Sequence, residues 1–245
     1  MHFTNSEMHE LEENKNFITN FTKNQQFDSL LTIPGEASPI QTITETKLLG
    51  YMLTMDMKTE THVHYIVQKC YKRLWAIRKL KSAGVSSQDI LRYYFMKIRS
   101  VLESSCSVFH SMLTVQNSDD IERIQKIIFR IMLGPAYDSY EDACKLLNVD
   151  SLKQRRLSIS LSFGLKLLDS SHCTRFFKFS ERKDIFLRKQ PILVPPFAHT
   201  ERYKNSPLPF LTRILNNFFE QKIKKKDYTN IPSRFFSIAK VNNGL

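Results

Sequence analysis

The stretch that decides the fold is KRLWAIRKLKSAGVSS, residues 72–87, because it closes one helical pattern and opens the next. Apolar residues lead into it at the spacing of one helical face: they are Val63, Ile66, Val67, Cys70, Leu74 and Ile77. Gly84 is a stop signal, and Ser86 or Ser87 can cap the following helix. That second helix carries one apolar stripe from Ile90 to Met112. The stretch therefore predicts an antiparallel pair of long helices.

The first helix is also basic. Four cations fall on the side away from its apolar face: Lys69, Lys72, Arg73 and Lys79. The chain as a whole carries a formal net charge of +12 with a pI near 9.5. A globular protein this basic often binds nucleic acid or an anionic surface. These four residues make the first helix both amphipathic and basic.

A small sheet is expected before the helices. Short apolar runs at 17–21, 30–33, 43–47 and 49–55 predict strands, and Pro34-Gly35 predicts a turn. A sheet built from so few strands has an exposed edge that could bind a protein partner. The expected fold class is α+β, predominantly α, with a small antiparallel sheet followed by a multi-helix bundle. The expected divisions are a disordered tail (1–14), strands (15–58), a helical bundle (59–170), an irregular extension with a short helix (171–220) and a basic tail (221–245).

A third helix is expected to follow a cap at Ser118 and to end at Gly134-Pro135. Its apolar stripe consists of Ile121, Ile124, Ile127, Ile128 and Ile131. Glu122 and Lys126 are four residues apart and are expected to pair on its exposed face. A short helix is predicted at 140–147.

The segment after Ser151 fits two structures. Residues 157–163 alternate strictly, as in a half-buried strand, yet Ser151 and Gln154 form a capping box and favour a helix. Arg155 and Arg156 would lie unfavourably near the positive end of that helix. Either they contact phosphate or they form salt bridges to nearby carboxylates. Both residues stay on the list of candidate phosphate contacts.

Aromatic and basic residues are mixed at 176–179 and 185–189. Such mixtures stack on bases, or they cover the edge of a core with charged side chains. Further on, Lys224, Lys225 and Lys226 form a basic run that adds non-specific phosphate affinity. These three lysines complete the predicted nucleic-acid-binding set.

No motif for catalysis or cofactor binding is found. The four cysteines lack metal-type spacing, and Cys70 and Cys106 are expected to be buried free thiols. His62 and His64 are two apart on a helix and point in different directions. We expect no cofactor and no metal. A membrane partner is not expected either, because no run of about 18 apolar residues exists. Without a visible signal peptide, an intracellular location, nuclear or cytoplasmic, is expected.

Several short strings occur in the order and spacing of a known family: KLLG (47–50), KRLW (72–75), LKSAGV (80–85), RIQK (123–126), LGP (133–135), SYEDA (139–143) and TERYKNSP (200–207). Together they resemble the thumb and downstream region of reverse transcriptases of non-LTR retrotransposons (LINE or jockey-like elements), over roughly residues 15–220. A related segment is often labelled as the N-terminal region of an AlkB-type tRNA-modifying protein. The resemblance implies a helical thumb that grips RNA or an RNA–DNA duplex. It also implies that four residues of the first helix contact phosphates: Lys69, Lys72, Arg73 and Lys79.

The departures from that family concern its chemistry. Its polymerase site is a Tyr/Phe-x-Asp-Asp turn, whereas the adjacent pair Asp119-Asp120 follows Asn117-Ser118 at an expected helix start. The His-x-Asp pattern of an AlkB-type oxygenase is also absent from the sequence. The expected function is therefore a truncated, non-catalytic fragment that binds nucleic acid. One alternative is a protein-interaction or structural module. A second alternative is an RNA-directed DNA polymerase by family membership, active only with a polymerase half supplied separately, or an AlkB-like N-terminal domain.

Overall fold

The computed structural model describes residues 17–18, 41–180 and 192–225, and it divides into two compact units, residues 1–62 and 63–245. The predicted N-terminal tail, the strand at 30–33, the mixed segment 185–189 and Lys226 lie outside the described residues.

The first unit contains the expected antiparallel pair. Strands β3 (Glu45–Leu48) and β4 (Tyr51–Thr54) form a hairpin, with Leu48 opposite Tyr51. Leu49 and Gly50 connect them with φ of 48° and 86°, which matches a type I′ turn. Before the hairpin, β1 (Phe17–Ile18) and β2 (Gln41–Thr42) pair in parallel. This parallel pair was not predicted.

Helix α1 (Glu60–Ser82) follows the hairpin, and its predicted apolar face is buried. Gly84 follows it with φ of 75°, and the Ser86 hydroxyl caps α2 (Ser87–Tyr93) by accepting from the Asp89 amide. The end of one helix and the start of the next therefore fall where the sequence predicts them.

The prediction of one unbroken second helix is wrong. After α2 the chain forms a π-helix (Tyr94–Arg99), then α3 (Ser100–Glu103), and it turns at Ser105, which has φ of 57°. Short helices follow at α4 (Cys106–Phe109) and at a 3₁₀ turn, His110–Met112. The wider turns of a π-helix leave its carbonyls able to accept other donors.

Three side chains donate to consecutive carbonyls of this π-helix. The Ser100 hydroxyl donates to the Met96 carbonyl (2.7 Å) and the Cys70 thiol to that of Ile98 (3.8 Å). Between them, the Arg73 guanidinium donates to the Lys97 carbonyl. Two of these donors lie on α1, so the π-helix is fastened to α1.

Helix α5 (Val115–Leu133) begins four residues earlier than predicted. Its cap is Thr114, whose hydroxyl accepts from the Asn117 amide (3.1 Å), and not Ser118. Because a threonine is also a competent cap, the earlier start adds one turn and places Ser118 inside the helix. Gly134 ends α5 with φ of 54°, as predicted.

The next two helices agree with the sequence. Helix α6 (Tyr140–Leu147) matches the predicted range, and α7 (Leu152–Asp169) resolves the ambiguous segment as a helix. The Ser151 hydroxyl accepts from the Gln154 amide (3.3 Å), which confirms the cap.

The C-terminal part of the chain packs around a hydrophobic core. Strands β5 (Lys178–Phe179) and β6 (Leu193–Val194) pair antiparallel, and α8 (Glu201–Lys204) precedes α9 (Pro207–Lys224). Buried side chains from these elements and α7 form this core: Leu168, Phe177, Leu193, Leu211, Leu215 and Phe219. At 18 residues, α9 is much longer than the short closing helix expected. The fold class is α+β and predominantly α, as predicted.

Candidate nucleic-acid interface

The outer face of α1 presents most of the predicted cations to solvent. Lys69, Lys72 and Lys79 are exposed, whereas Arg73 is half-buried and donates to the π-helix. Arg78, which the sequence analysis did not select, is exposed as well. The candidate interface therefore has Lys72, Arg78 and Lys79 near its centre.

This face is positive without local compensation. Residues 63–82 contain six lysines and arginines and neither aspartate nor glutamate. In the part of the chain that the structure describes, no carboxylate forms a salt bridge with Lys69, Lys72, Arg78 or Lys79. Positive side chains that no neighbour neutralises attract polyanions most strongly.

Two exposed aromatic rings lie among these cations. The side chain of Trp75 is 64% exposed and that of Tyr71 is 41% exposed. The Lys79 ammonium lies 5.9 Å from the centre of the Trp75 ring. Sequence reasoning missed both rings as site residues. The available signal was their position, since they fall outside the apolar stripe of an amphipathic helix.

Arg155 belongs to a different, internal network. Its guanidinium forms a two-pronged hydrogen bond with the Glu103 carboxylate (Nη2 to Oε2, 3.0 Å), and this contact raises the pKa of Arg155. Arg99 approaches the same carboxylate at 3.8 Å and stacks on the Phe95 ring. The salt-bridge alternative for Arg155 is therefore the one observed.

Arg156 is buried, which corrects its assignment as a phosphate contact. Its side chain is 1% exposed, and burial lowers its pKa. Nη2 donates to the Ser118 hydroxyl (2.9 Å), and Nη1 lies 3.8 Å from Oε2 of Glu122. An external phosphate cannot reach a guanidinium in this position without unfolding the bundle.

Glu122 is the centre of that buried network and not a surface residue paired with Lys126, as the sequence suggested. Its carboxylate accepts from the Tyr140 hydroxyl and from the backbone amides of Leu152 (2.9 Å) and Lys153 (3.1 Å). It thus caps the start of α7 from a helix that precedes it by some thirty residues. Lys126 instead lies 5.2 Å from the centre of the Tyr140 ring.

A cavity of about 450 Å³ opens beside this network and is lined by His110, Asp119, Glu122, Lys126, Tyr140 and Lys153, among others. Three carboxylates line it, and that of Glu122 accepts three hydrogen bonds from the protein. Burial lowers the pKa of His110 to about 4, and its ring packs edge-on against Phe210 at 5.5 Å. His110 and Glu122 therefore belong to the packing and the hydrogen-bond network of the bundle.

The remaining candidates are limited. Lys224 pairs with Glu220 (2.9 Å) along α9, and Lys225 is exposed.

Cys70 and Cys106 are buried free thiols, as predicted, and burial raises their pKa values to about 12 and about 11. Within the described ranges no cluster of three or more His, Cys, Asp or Glu could hold a metal ion. None of the described helices is long and apolar enough to cross a membrane.

No protein-family model, curated protein or solved structure matches this chain.

Proposed function

We propose that this protein is a non-catalytic nucleic-acid-binding module in which α1 contacts the phosphate backbone of RNA or of an RNA–DNA duplex. The observation that carries the proposal is the outer face of α1, with exposed Lys69, Lys72, Arg78 and Lys79 and no carboxylate between 63 and 82. The ordered similarity to the thumb of non-LTR reverse transcriptases supports the same role. A thumb grips the duplex without performing the chemistry.

The absence of catalysis is part of the proposal. Asp119 and Asp120 lie in the first turns of α5, where Asp120 accepts from Gln116 (3.2 Å) and lies 3.6 Å from Arg123. They are helix-surface residues, and the 245 residues contain no Tyr/Phe-x-Asp-Asp turn. Metal-dependent primer extension by the purified chain would contradict this part of the proposal.

A salt series tests the binding. Fluorescence anisotropy of a labelled RNA–DNA duplex should show an affinity that falls steeply with salt. Lys72→Ala with Lys79→Ala removes two phosphate contacts, so the slope of log affinity against log salt should decrease by roughly 1.8. The matched control is Lys145→Ala with Lys204→Ala, which removes the same charge from lysines already paired with Asp142 and Glu201. Equal losses in both double variants would show that only net charge matters and would sink the assigned interface.

The hairpin of the first unit favours a second function. Leu48 and Leu49 at its turn are 59% and 95% exposed. Apolar side chains at the tip of a small sheet are suited to a protein partner. Under this alternative, neutralising the basic face of α1 would leave binding of the protein partner unchanged. Leu49→Asn would abolish that binding.

A further inference from the structure

The exposed aromatic rings of α1 differ from what backbone binding alone requires. Phosphate contacts need cations, and cations alone would avoid the cost of leaving apolar rings in water. Trp75 and Tyr71 are nevertheless exposed, one helical turn apart, between Lys72, Arg78 and Lys79. We call these five residues the aromatic stripe.

The spacing of the two rings matches an unpaired strand better than a duplex. Residues four apart on a helix are about 6 Å apart along its axis. Bases of a duplex are stacked about 3.4 Å apart, whereas successive bases of a single strand can each stack on an aromatic side chain. Inside a duplex each base face is already covered by its neighbours, so the rings would have no partner there.

We propose that Tyr71 and Trp75 stack on two successive unpaired bases of a single-stranded nucleic acid whose phosphates lie against Lys72, Arg78 and Lys79. This inference rests on the proposed function and specifies which form of nucleic acid the α1 face prefers. Stacking on aromatic rings tolerates any base, because every base has a π-face. The preference is for unpaired strands and not for a sequence.

The charge of the stripe argues against a protein partner at this place. Lysine is depleted at the centres of protein–protein interfaces, although tyrosine, tryptophan and arginine are enriched there, so Lys72 and Lys79 are the residues that speak against such a partner. Here two lysines and one arginine lie around the two exposed rings. A nucleic acid fits both the cations and the exposed rings, because it is a polyanion that carries flat apolar bases.

Trp75 is the single tryptophan of the chain, so its fluorescence reports directly on the stripe. A 12-nucleotide oligouridylate should quench this fluorescence, and a 12-base-pair RNA–DNA duplex at equal phosphate concentration should not. Trp75→Ala should weaken binding of the oligouridylate about tenfold by anisotropy, with little effect on the duplex. Trp75→Phe should recover part of the loss.

The control is Tyr203→Ala, which removes an exposed ring of comparable exposure (44%) from α8. Circular dichroism checks that each variant keeps its helical content. Equal quenching by strand and duplex, or strand binding unchanged in Trp75→Ala, overturns the inference while backbone binding stands. If the wild-type protein binds neither the strand nor the duplex, both proposals are wrong. A dimer in sedimentation that Trp75→Ala abolishes, without oligonucleotide binding, would assign the stripe to contacts between copies.

Discussion

Glu122 and Arg156 show how strongly one buried pair can organise a helical bundle. The Glu122 carboxylate accepts hydrogen bonds from the Tyr140 hydroxyl and from two amides of α7, and it forms an ion pair with the buried Arg156 guanidinium. Removing one partner would leave the other charged in an apolar interior, which costs far more than an exposed ion pair contributes. The network therefore reads as structural, although its residues are of catalytic types.

Glu122→Ala should lower the free energy of unfolding by about 3 to 5 kcal/mol, because Arg156 and the first amides of α7 lose their partner. Urea denaturation followed by circular dichroism measures this change. The double variant Glu122→Leu with Arg156→Met should be less destabilised than either single change, since it buries no unpaired charge. Additive losses in the double variant would contradict the assigned pairing.

Helix α9 is joined to strand β6 by the side-chain amide of Asn216. Oδ1 of Asn216 accepts from the Leu193 amide (2.9 Å), and its Nδ2 donates to the Leu193 carbonyl (2.8 Å). The side chain thereby makes the two hydrogen bonds that a neighbouring strand would make. A two-residue strand such as β6 has few bonds of its own, so this contact matters.

Asn216→Asp should destabilise the protein by about 1 to 3 kcal/mol, because a carboxylate cannot donate to the Leu193 carbonyl and instead repels it. Thermal unfolding of the two proteins compares them directly. Asn217→Asp is the control, since that neighbouring side chain is exposed. A loss as large for position 217 would show that added negative charge alone explains the effect.

The sequence predicted those elements whose signals are local. Gly84, Ser86, Ser151 and Gly134 mark helix ends correctly, because capping depends on residues within one turn. The break at Ser105 was missed, since the apolar stripe continues across it and only tertiary packing decides the turn. Burial of Arg156 was missed for a related reason: its carboxylate partner lies 34 residues earlier, beyond any local pattern.

The folded molecule is expected to lose stability in mild acid. Burial lowers the pKa of His62 and of His110 to about 4, with Arg156 and Lys153 adding to the effect at His110. The unfolded chain therefore binds more protons than the folded one between pH 4 and 6.5, so stability is full above pH 6.5 and decreases as the pH falls towards 4. Each imidazole contributes to this loss in the same direction.

Urea denaturation at pH 7.5, 6 and 4.5 tests this dependence. His110→Phe should flatten it, because a phenyl ring can keep the edge-on contact with Phe210 without titrating. His172→Phe is the control, since that histidine is exposed. A variant at position 110 with an unchanged pH profile would place the titration elsewhere.

The cap that Glu122 provides also has a kinetic consequence. Amide hydrogens in the first turn of a helix usually exchange quickly with solvent deuterium, because no carbonyl of the helix protects them. Those of Leu152 and Lys153 are instead donated to a carboxylate held on α5. Their exchange is therefore coupled to separation of α5 from α7, and this terminus reports the opening of the whole bundle where it would ordinarily report local fraying.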